Sequence, residues 1–364
     1  MHPPRGPRSW ARLGSISAVL MLVACSASPA TPTPTPVAAA VTAAPAAPPS
    51  LRPVKIGYAS SATVFAGLWV AKELGVFEQY GLRPDDLVLV SGGPVLVQSL
   101  VARELDAAYL AFSPAVAAVM GGAPLKVLAG VGRGFSFQLF TKQGLGIDRP
   151  EDAKGKRVGI SRLGSESHTV VRFWARAHGL QDNDITYVAV GDAGQRIPAL
   201  ESGAADIALL DPPFAVKAEK LGYLRLADLT REPFAWQQDG VAMLEQRVRE
   251  EPELSQALVQ AVVEGAYLLR ADPARASQVL RKYMDEEDPE ALQGAYEAYV
   301  RTWIDHARPD PAGVAAVQAF IDESVPGTAQ QPEIRFVDTS VLDKLEREGF
   351  YSRLERQYPA PRLR

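Results

Sequence analysis

Short apolar runs alternate with amphipathic stretches from residue 53 onward, and Gly, Ser and Pro separate the two. Residues 54–58 form an apolar run typical of a strand, and the stretch from about Val64 to Leu74 has the periodicity of a helix. This alternation predicts a parallel sheet covered by helices. The predicted strands of this half are 54–58, 86–90, 107–110 and 125–130.

The same order of elements restarts near residue 152. The segment LVARELDAAYLAFSPAV at 100–116 aligns with LESGAADIALLDPPFAV at 200–216, so that Asp106 matches Asp206. Any two strand–helix units share part of such a pattern, but the matching order indicates two related lobes. The predicted elements of this second half are strands 157–160, 185–190 and 207–210 and helices 167–178 and 195–201.

Beyond residue 241 the pattern is helical, and four of the segments begin with Pro, whose missing N–H needs no partner at the first helical position. These segments are 252–270, 273–284, 289–304 and 311–323, and 340–350 predicts one more short helix. We expect chain crossings near 132–139 and 231–241. The fold class is therefore α/β, with lobe I at 53–132 plus 238–364, lobe II at 133–237 and two crossings between them.

The N-terminus has the pattern of a secretory signal peptide at 1–24. Arg5, Arg8 and Arg12 precede an apolar run that ends in small residues at Ala24. Residues 22–25 resemble the lipobox of bacterial lipoproteins, in which the cysteine is acylated. Cys25 is the chain's one cysteine, so no internal disulfide is expected. The alternative is a chance cysteine beside an ordinary cleavage site.

Residues 25–52 consist mainly of Ser, Ala, Thr and Pro after the cysteine. Such a segment cannot bury a core, and its prolines keep it extended, so it predicts a tether to a membrane. The formal net charge of -4 and the absence of a basic run mixed with aromatic residues exclude a nucleic-acid partner.

Four motifs in order carry a family resemblance. The segment AKELGVF at 71–77, followed by Tyr80-Gly81-Leu82, resembles a segment of the SsuA/THI5-like (NMT1-like) substrate-binding proteins for nitrate, sulfonates, taurine and thiamine pyrimidine precursors. Residues 104–108, 122–127 and 152–159 resemble its next signatures. The resemblance implies a type II periplasmic-binding-protein fold, an extracytoplasmic monomer, and an ABC permease as partner.

In an open parallel sheet, ligands bind beyond the carboxyl ends of the strands. The loops at these ends precede helices, so free N–H groups and positive helix ends face the predicted cleft. Gly and Ser there permit close approach, which suits an acidic headgroup such as sulfonate. The candidate ligand-binding residues are Ser60, Ser61, Thr63, Phe65, Gly92, Gly93, Phe112, Ser113, Phe135, Arg162, Gly164, Ser165, Glu166, Asp192, Asp211 and Trp236.

The charged candidates favour two different ligands. Arg133 and Arg162 suit a clamp on an acidic headgroup, or are exposed loop charges. Glu166, Asp192 and Asp211 repel a simple anion and accept hydrogen bonds from an amine or heterocycle, unless each is a helix N-cap. We therefore expect a small organic ligand with an amine or heterocyclic part, or a zwitterion, with a sulfonate possible. No cofactor and no metal are expected.

Aromatic residues at loops and crossings supply either pocket walls or core packing. Phe137 and Phe234 belong to this group beside the candidates above, whereas Trp69 and Trp174 fall within helices and are expected in the core. Hinge motion at the two crossings is the expected mode of closure.

Two other function classes compete with solute binding. One eukaryotic branch of the resembled family makes thiamine pyrimidine with His and Cys chemistry, but His168, His178 and His306 are scattered and show no metal-ligand spacing. No nucleophile–base pair is visible either, so we expect no enzyme. A ligand-sensing module for a membrane receptor would use the same fold, and the neighbouring genes would distinguish the two.

Overall fold

The structure is a computed structural model that describes residues 50–232, 234–324 and 336–359. They belong to one compact unit that spans residues 49–364. The predicted signal peptide, Cys25 and most of the tether lie outside the described residues. Within the described part, the structure contains no helix of the length and apolar character needed to cross a bilayer.

Ten strands of the described chain form two five-stranded sheets. The order of the first is β2-β1-β3-β10-β4 and that of the second is β7-β6-β8-β5-β9. We call the parts built on these sheets lobe I and lobe II. The strands are β1 Arg52–Tyr58, β2 Leu82–Leu89, β3 Ala107–Ala111, β4 Leu125–Ala129, β5 Gln138–Thr141, β6 Arg157–Ile160, β7 Thr186–Ala189, β8 Ile207–Leu210, β9 Leu224–Asp228 and β10 Asp239–Leu244.

The prediction of purely parallel sheets is wrong at one strand in each lobe. β10 runs antiparallel to β3 and β4, and β5 runs antiparallel to β8 and β9. Each enters its sheet directly from a crossing and not through a covering helix, so nothing reverses its direction. The crossings comprise residues 130–137 and 229–238, and Arg133 pairs with Gln237 where they meet.

Fourteen helices of the described chain cover the sheets and extend lobe I. The helix predicted at 340–350 ends at Arg347, and a further helix that was not predicted begins at Phe350, after Gly349 with its left-handed φ of 71°. The helices are α1 Ala66–Glu73, α2 Val76–Gln79, α3 Gly93–Val101, α4 Phe112–Met120, α5 Glu166–Ala177, α6 Arg196–Glu201, α7 Phe214–Lys220, α8 Glu245–Glu250, α9 Pro252–Ala271, α10 Pro273–Met284, α11 Pro289–Thr302, α12 Pro311–Ser324, α13 Ser340–Arg347 and α14 Phe350–Gln357.

The two lobes repeat one structural unit. Asp106 accepts a hydrogen bond from the backbone N–H of Lys55 at 2.6 Å, and Asp206 accepts one from the backbone N–H of Arg157 at 2.9 Å. Each aspartate precedes the central strand of its sheet and binds the backbone of the neighbouring parallel strand. The alignment of 100–116 with 200–216 therefore corresponds to equivalent positions in the structure.

The core of each lobe lies between its sheet and its helices. Trp69 and Trp174 are fully buried there, which confirms the expectation that they are core residues. The C-terminal helix α14 is held by Glu264 of α9, a buried carboxylate that accepts hydrogen bonds from Tyr358 at 2.7 Å and from Arg353 at 3.1 Å. The hydroxyl of Tyr80 also donates to Glu264.

Candidate functional site

The loops at the carboxyl ends of the parallel strands meet between the lobes. Asp192, after β7, accepts hydrogen bonds from Ser61, after β1: the backbone N–H of Ser61 lies 3.2 Å from both carboxylate oxygens, and its hydroxyl lies 2.5 Å from Oδ2. Asp211, after β8, accepts from the backbone N–H of Thr63 at 3.1 Å. The Thr63 hydroxyl donates to the carbonyl of Pro212. One loop of lobe I is thus bonded to two loops of lobe II.

A third carboxylate, Glu166 at the start of α5, completes this contact. Its Oε1 accepts from the indole N–H of Trp236 at 2.8 Å, and its Oε2 accepts from the hydroxyl of Ser113. Burial raises the pKa of Glu166 to about 7, although both donors favour the ionised form. Glu166 therefore links lobe II to lobe I and to the second crossing at once.

At the rim of the cleft, glycine backbone in each lobe lies close to a side chain of the opposite lobe. Gly92 has a φ of +91°, and a Cβ placed on it would lie 2.6 Å from Nε of Arg162. Gly164 lies opposite Pro94, where a Cβ would meet Cγ of that proline at 3.3 Å. Arg162 itself is exposed. Its side chain lies close to the backbone of Gly92 in the opposite lobe.

A cavity of about 50 Å³ remains between the lobes, which is the space of one or two water molecules. Two polar atoms that are buried in its lining residues have no hydrogen-bond partner, Nε of Arg196 and Oε1 of Gln238. Oδ1 of Asp211, a neighbour of Arg196, also lacks one. The lining comprises Ala59, Ser60, Ala62, Val64, Phe65, Gly92, Gly93, Ala111, Phe137, Ser161, Ser165, Glu166, Ser167, Arg196 and Gln238.

Arg196 is fixed in this lining by the other two nitrogens of its guanidinium. One donates to the carbonyl of Leu209 at 2.8 Å and the other to the hydroxyl of Ser161 at 2.7 Å. The hydroxyls of Ser165 and Ser167 lie 2.9 Å apart and continue this network, since Ser167 accepts from the backbone N–H of Ser161. Burial lowers the pKa of Arg196, while Asp211 and Asp192 oppose that shift.

The sequence-predicted residues fall into four groups. Those that line the cavity are Ser60, Phe65, Gly92, Gly93, Ser165 and Glu166. Those that bond across the cleft or to a crossing are Ser61, Thr63, Ser113, Asp192, Asp211 and Trp236, with Glu166 shared. Arg162 and Gly164 form the rim. Phe112 and Phe135 do not line the cavity. Phe112 packs against Phe336, and Phe135 packs against Phe173 and Trp236.

The contacts of His168 and the surroundings of Arg133 show where two further residues named from the sequence lie. The Nδ1 atom of His168 accepts from the backbone N–H of Gly164 at 3.1 Å, and its ring meets that of Tyr187 edge-on at 4.6 Å. Burial lowers the pKa of His168 to about 4, so the ring is neutral and orients the rim loop. Arg133 is exposed and lines a separate cavity of about 390 Å³ beside the crossings.

Sequence reasoning missed Arg196 and Gln238. Arg196 follows the loop 191–193, and an arginine so close to a candidate cleft loop is a signal that the sequence does carry. Gln238 is the last residue before β10, and no sequence signal separates it from Gln237, whose side chain bonds to Gly132 instead. Among the described residues, no cluster of three or more His, Cys, Asp or Glu side chains could hold a metal ion.

The sequence of this chain matches a known protein family and is similar to known binding proteins. The sequence profile described as NMT1/THI5 like matches residues 62–276, more than half of the chain. A protein of Brucella abortus described as a binding protein is 24% identical over 236 residues, which cover 64% of this chain and 72% of that one. The riboflavin-binding protein RibY of Chloroflexus aurantiacus is 25% identical over 284 residues, which cover 74% of this chain and 76% of RibY.

Solved structures share the fold. A protein of Bordetella bronchiseptica superposes with a TM-score of 0.73 at 20% identity and covers 85% of this chain and 99% of its own. A Candida albicans protein described as having the generic periplasmic binding protein fold gives 0.63 at 16% identity, with 81% and 95% covered. The alkanesulfonate-binding protein SsuA of Xanthomonas axonopodis, bound to MOPS, gives 0.61 at 19% identity, with 75% and 92% covered.

An enzyme has the same architecture. The desulfurization enzyme DSZB superposes with a TM-score of 0.57 at 17% identity and covers 81% of this chain and 99% of its own. A mutant of DSZB has been solved in complex with biphenyl-2-sulfinic acid. The fold of this chain, the periplasmic-binding-protein fold, is therefore used for catalysis as well as for binding.

Proposed function

Because the chain belongs to the NMT1/THI5-like family, we propose that it is an extracytoplasmic solute-binding protein that captures a small organic molecule between its lobes for an ABC importer. Its similarity in fold to a ligand-binding component of an ABC-type import system from Staphylococcus aureus, and to the binding proteins SsuA and RibY, supports this proposal. We assign lobe I to residues 53–132 and 238–364 and lobe II to residues 133–237. The lobes would separate and close about the two crossings, as hinged domains do around a ligand.

The observation that carries the proposal is the position of the unpartnered polar atoms. A buried polar atom without a hydrogen bond is unfavourable, and most such atoms in native proteins have a partner. Arg196 Nε and Gln238 Oε1 belong to side chains that are 3% and 1% exposed, and both side chains line the small cavity at the carboxyl ends of the two sheets. A bound solute would supply the two missing partners.

The charges around the cavity bear on the class of solute. Asp192 and Asp211 lie near the buried cation Arg196, and a third carboxylate, Glu166, lines the same cavity. A free inorganic anion such as nitrate would gain little in these surroundings. A neutral heterocycle, an amine or a zwitterion is therefore the class we propose, and an alkanesulfonate is the alternative because SsuA binds one.

Delivery requires attachment to the membrane and a membrane partner. We propose that Cys25 carries the lipid anchor and that residues 26–51 form the tether, one residue shorter than predicted because Arg52 begins β1. The monomeric body would then dock on an ABC permease. A permease and an ATPase gene beside this one would support import, whereas a histidine kinase gene would favour a sensor.

Binding, and not catalysis, is the role we propose. The catalytic alternative is favoured by the DSZB likeness alone. The three carboxylates of the cleft accept hydrogen bonds from protein donors, and these bonds join the two lobes and a crossing.

The proposal can be tested before the solute is identified. The full-length chain is incubated with a metabolite extract, separated from it, and analysed by native mass spectrometry. We expect one retained small molecule per chain. The matched control is Ser60→Trp, which fills the cavity, with its folding checked by circular dichroism. Equal retention by both chains, or none by either, would contradict the proposal.

A further inference from the structure

The lining of the interlobe cavity contains a fixed hydrogen-bond donor. Arg196 is 3% exposed, and two of its guanidinium nitrogens are held by Leu209 and Ser161. The position of the third nitrogen, Nε, is therefore determined by the protein. Because Nε–H has no partner and arginine has no acceptor, the group that completes this site must accept a hydrogen bond.

The same lining contains a fixed acceptor. Gln238 is 1% exposed, and its Nε2 donates to the hydroxyl of Ser136 at 2.8 Å. This bond leaves Oε1 of the amide without a partner. The group that completes this second site must donate a hydrogen bond. The ligand therefore meets one donor and one acceptor, both held by buried side chains.

The charge of the surroundings decides which kind of acceptor suits Arg196. Asp211 and Asp192 already interact electrostatically with the guanidinium, and Glu166 lies in the wall of the same cavity. An anionic ligand group would meet this excess of carboxylates. A neutral carbonyl or ring nitrogen can accept from Nε without that repulsion.

We propose that Arg196 and Gln238 determine specificity for an uncharged ring that carries both a hydrogen-bond acceptor and a donor, as the –C(=O)–NH– group of a lactam or cyclic imide does. This inference rests on the proposed solute-binding function and names its ligand class. Riboflavin contains such an imide, and RibY, a relative of this chain, is a riboflavin-binding protein. The cleft would have to open to admit a ring of that size.

Isothermal titration calorimetry on the full-length chain tests the proposal, with the affinities of the wild type and its variants compared for several probe ligands. The probes are uracil and 1,3-dimethyluracil, which keeps both carbonyls but has no N–H donor, with riboflavin as the larger imide. We expect the wild type to bind uracil at least about tenfold more tightly than its dimethyl analogue, because a site built around a polar contact rejects an analogue that lacks it. Gln238→Leu should abolish that difference.

Arg196→Lys provides the second arm, since it keeps the positive charge and loses the Nε donor. We expect at least about a tenfold loss of uracil affinity with an unchanged circular dichroism spectrum. A difference between the two probes that survives in Gln238→Leu would overturn the inference. Binding of taurine or an alkanesulfonate, but of no imide, would also overturn it and leave the solute-binding function intact. Failure of the metabolite-retention test would overturn both.

Discussion

Asp192 of lobe II accepts hydrogen bonds from both the backbone N–H and the hydroxyl of Ser61 of lobe I, the latter at 2.5 Å. Asp192 stands at the N-cap position of a short helical turn, yet its side chain caps nothing there. The carboxylate is used to hold the opposite lobe. The contact therefore helps to fix the position of the two lobes relative to each other at the candidate cleft.

We predict that Asp192→Ala shifts the lobes toward separation. Hydrogen bonds to charged groups contribute about 1.5–3 kcal/mol each, so the loss should weaken solute affinity by roughly tenfold or more. The distance between spin labels on Leu89→Cys and Leu163→Cys, two exposed positions on opposite lobes, should lengthen in pulsed electron paramagnetic resonance. All labelled chains carry Cys25→Ser, so that only the introduced cysteines react.

The matched control is Asp184→Ala. Asp184 also belongs to lobe II, but its carboxylate bonds to Gln181 and Lys154 of the same lobe. It should leave the label distance unchanged. An equal effect of the two substitutions would show that the Asp192 contact does not hold the lobes together.

Contact between the lobes should depend on pH. Burial raises the pKa of Glu166 to about 7 and that of Asp211 to about 6, above their ordinary values of 4.5 and 3.8. Lobes in contact therefore bind more protons than separated lobes between about pH 4 and 7. The free energy that favours contact decreases as the pH rises through this window and is constant above it.

The label distance between pH 4.5 and 8 checks this pH dependence. We expect a smaller pH effect in Glu166→Gln, which cannot titrate. Global unfolding is a poorer readout, because His168, whose pKa is lowered to about 4, contributes with the opposite sign. An identical pH profile in the wild type and in Glu166→Gln would exclude Glu166 as a source of the effect.

Gly92→Ala should destabilise the closed rim. Its φ of +91° strains any L-residue, and a Cβ there would contact the side chain of Arg162. We expect a loss of about 1–3 kcal/mol in the free energy of unfolding, measured by urea titration. Gly81→Ala isolates the backbone strain, because Gly81 has a φ of +74° with open space around it. If the contact matters, Arg162→Ala should recover part of the cost of Gly92→Ala and none of that of Gly81→Ala.

Glu264→Ala should loosen the C-terminal helix. The buried carboxylate joins Tyr80, Arg353 and Tyr358, and its removal leaves their polar groups without this partner. We expect about 1–3 kcal/mol less stability and faster proteolysis within α14. Glu253→Ala, an exposed position on the same helix α9, is the control and should change neither. Unchanged proteolysis in Glu264→Ala would mean that other contacts hold α14.

Much of the fold was predictable because local pattern and tertiary role coincide. Asp106 and Asp206 precede equivalent strands, and their order in the chain is enough to indicate two lobes. The strands β5 and β10 were not predicted, since they follow the crossings and have no helix of their own to mark them. Their direction depends on where the crossings place them in the sheets.

The loop residues of the candidate site could be predicted from the sequence, but its buried residues could not. Ser60 and Gly92 could be found because the carboxyl ends of parallel strands meet at one edge. Arg196 lies close to the candidate loop 191–193, but it was missed because the sequence of a helical arginine does not show whether the side chain is exposed or buried. Likewise, the protein donors that engage Glu166 and Asp192 come from residues far away in the chain.

A crystal structure of the chain purified with its retained solute would decide whether the cleft between the lobes is the binding site. We predict density for one small molecule there, with a hydrogen-bond acceptor at Nε of Arg196 and a donor at Oε1 of Gln238. Density for the solute at the cavity beside Arg133, or elsewhere on the surface with the interlobe cavity unchanged, would contradict solute capture between the lobes.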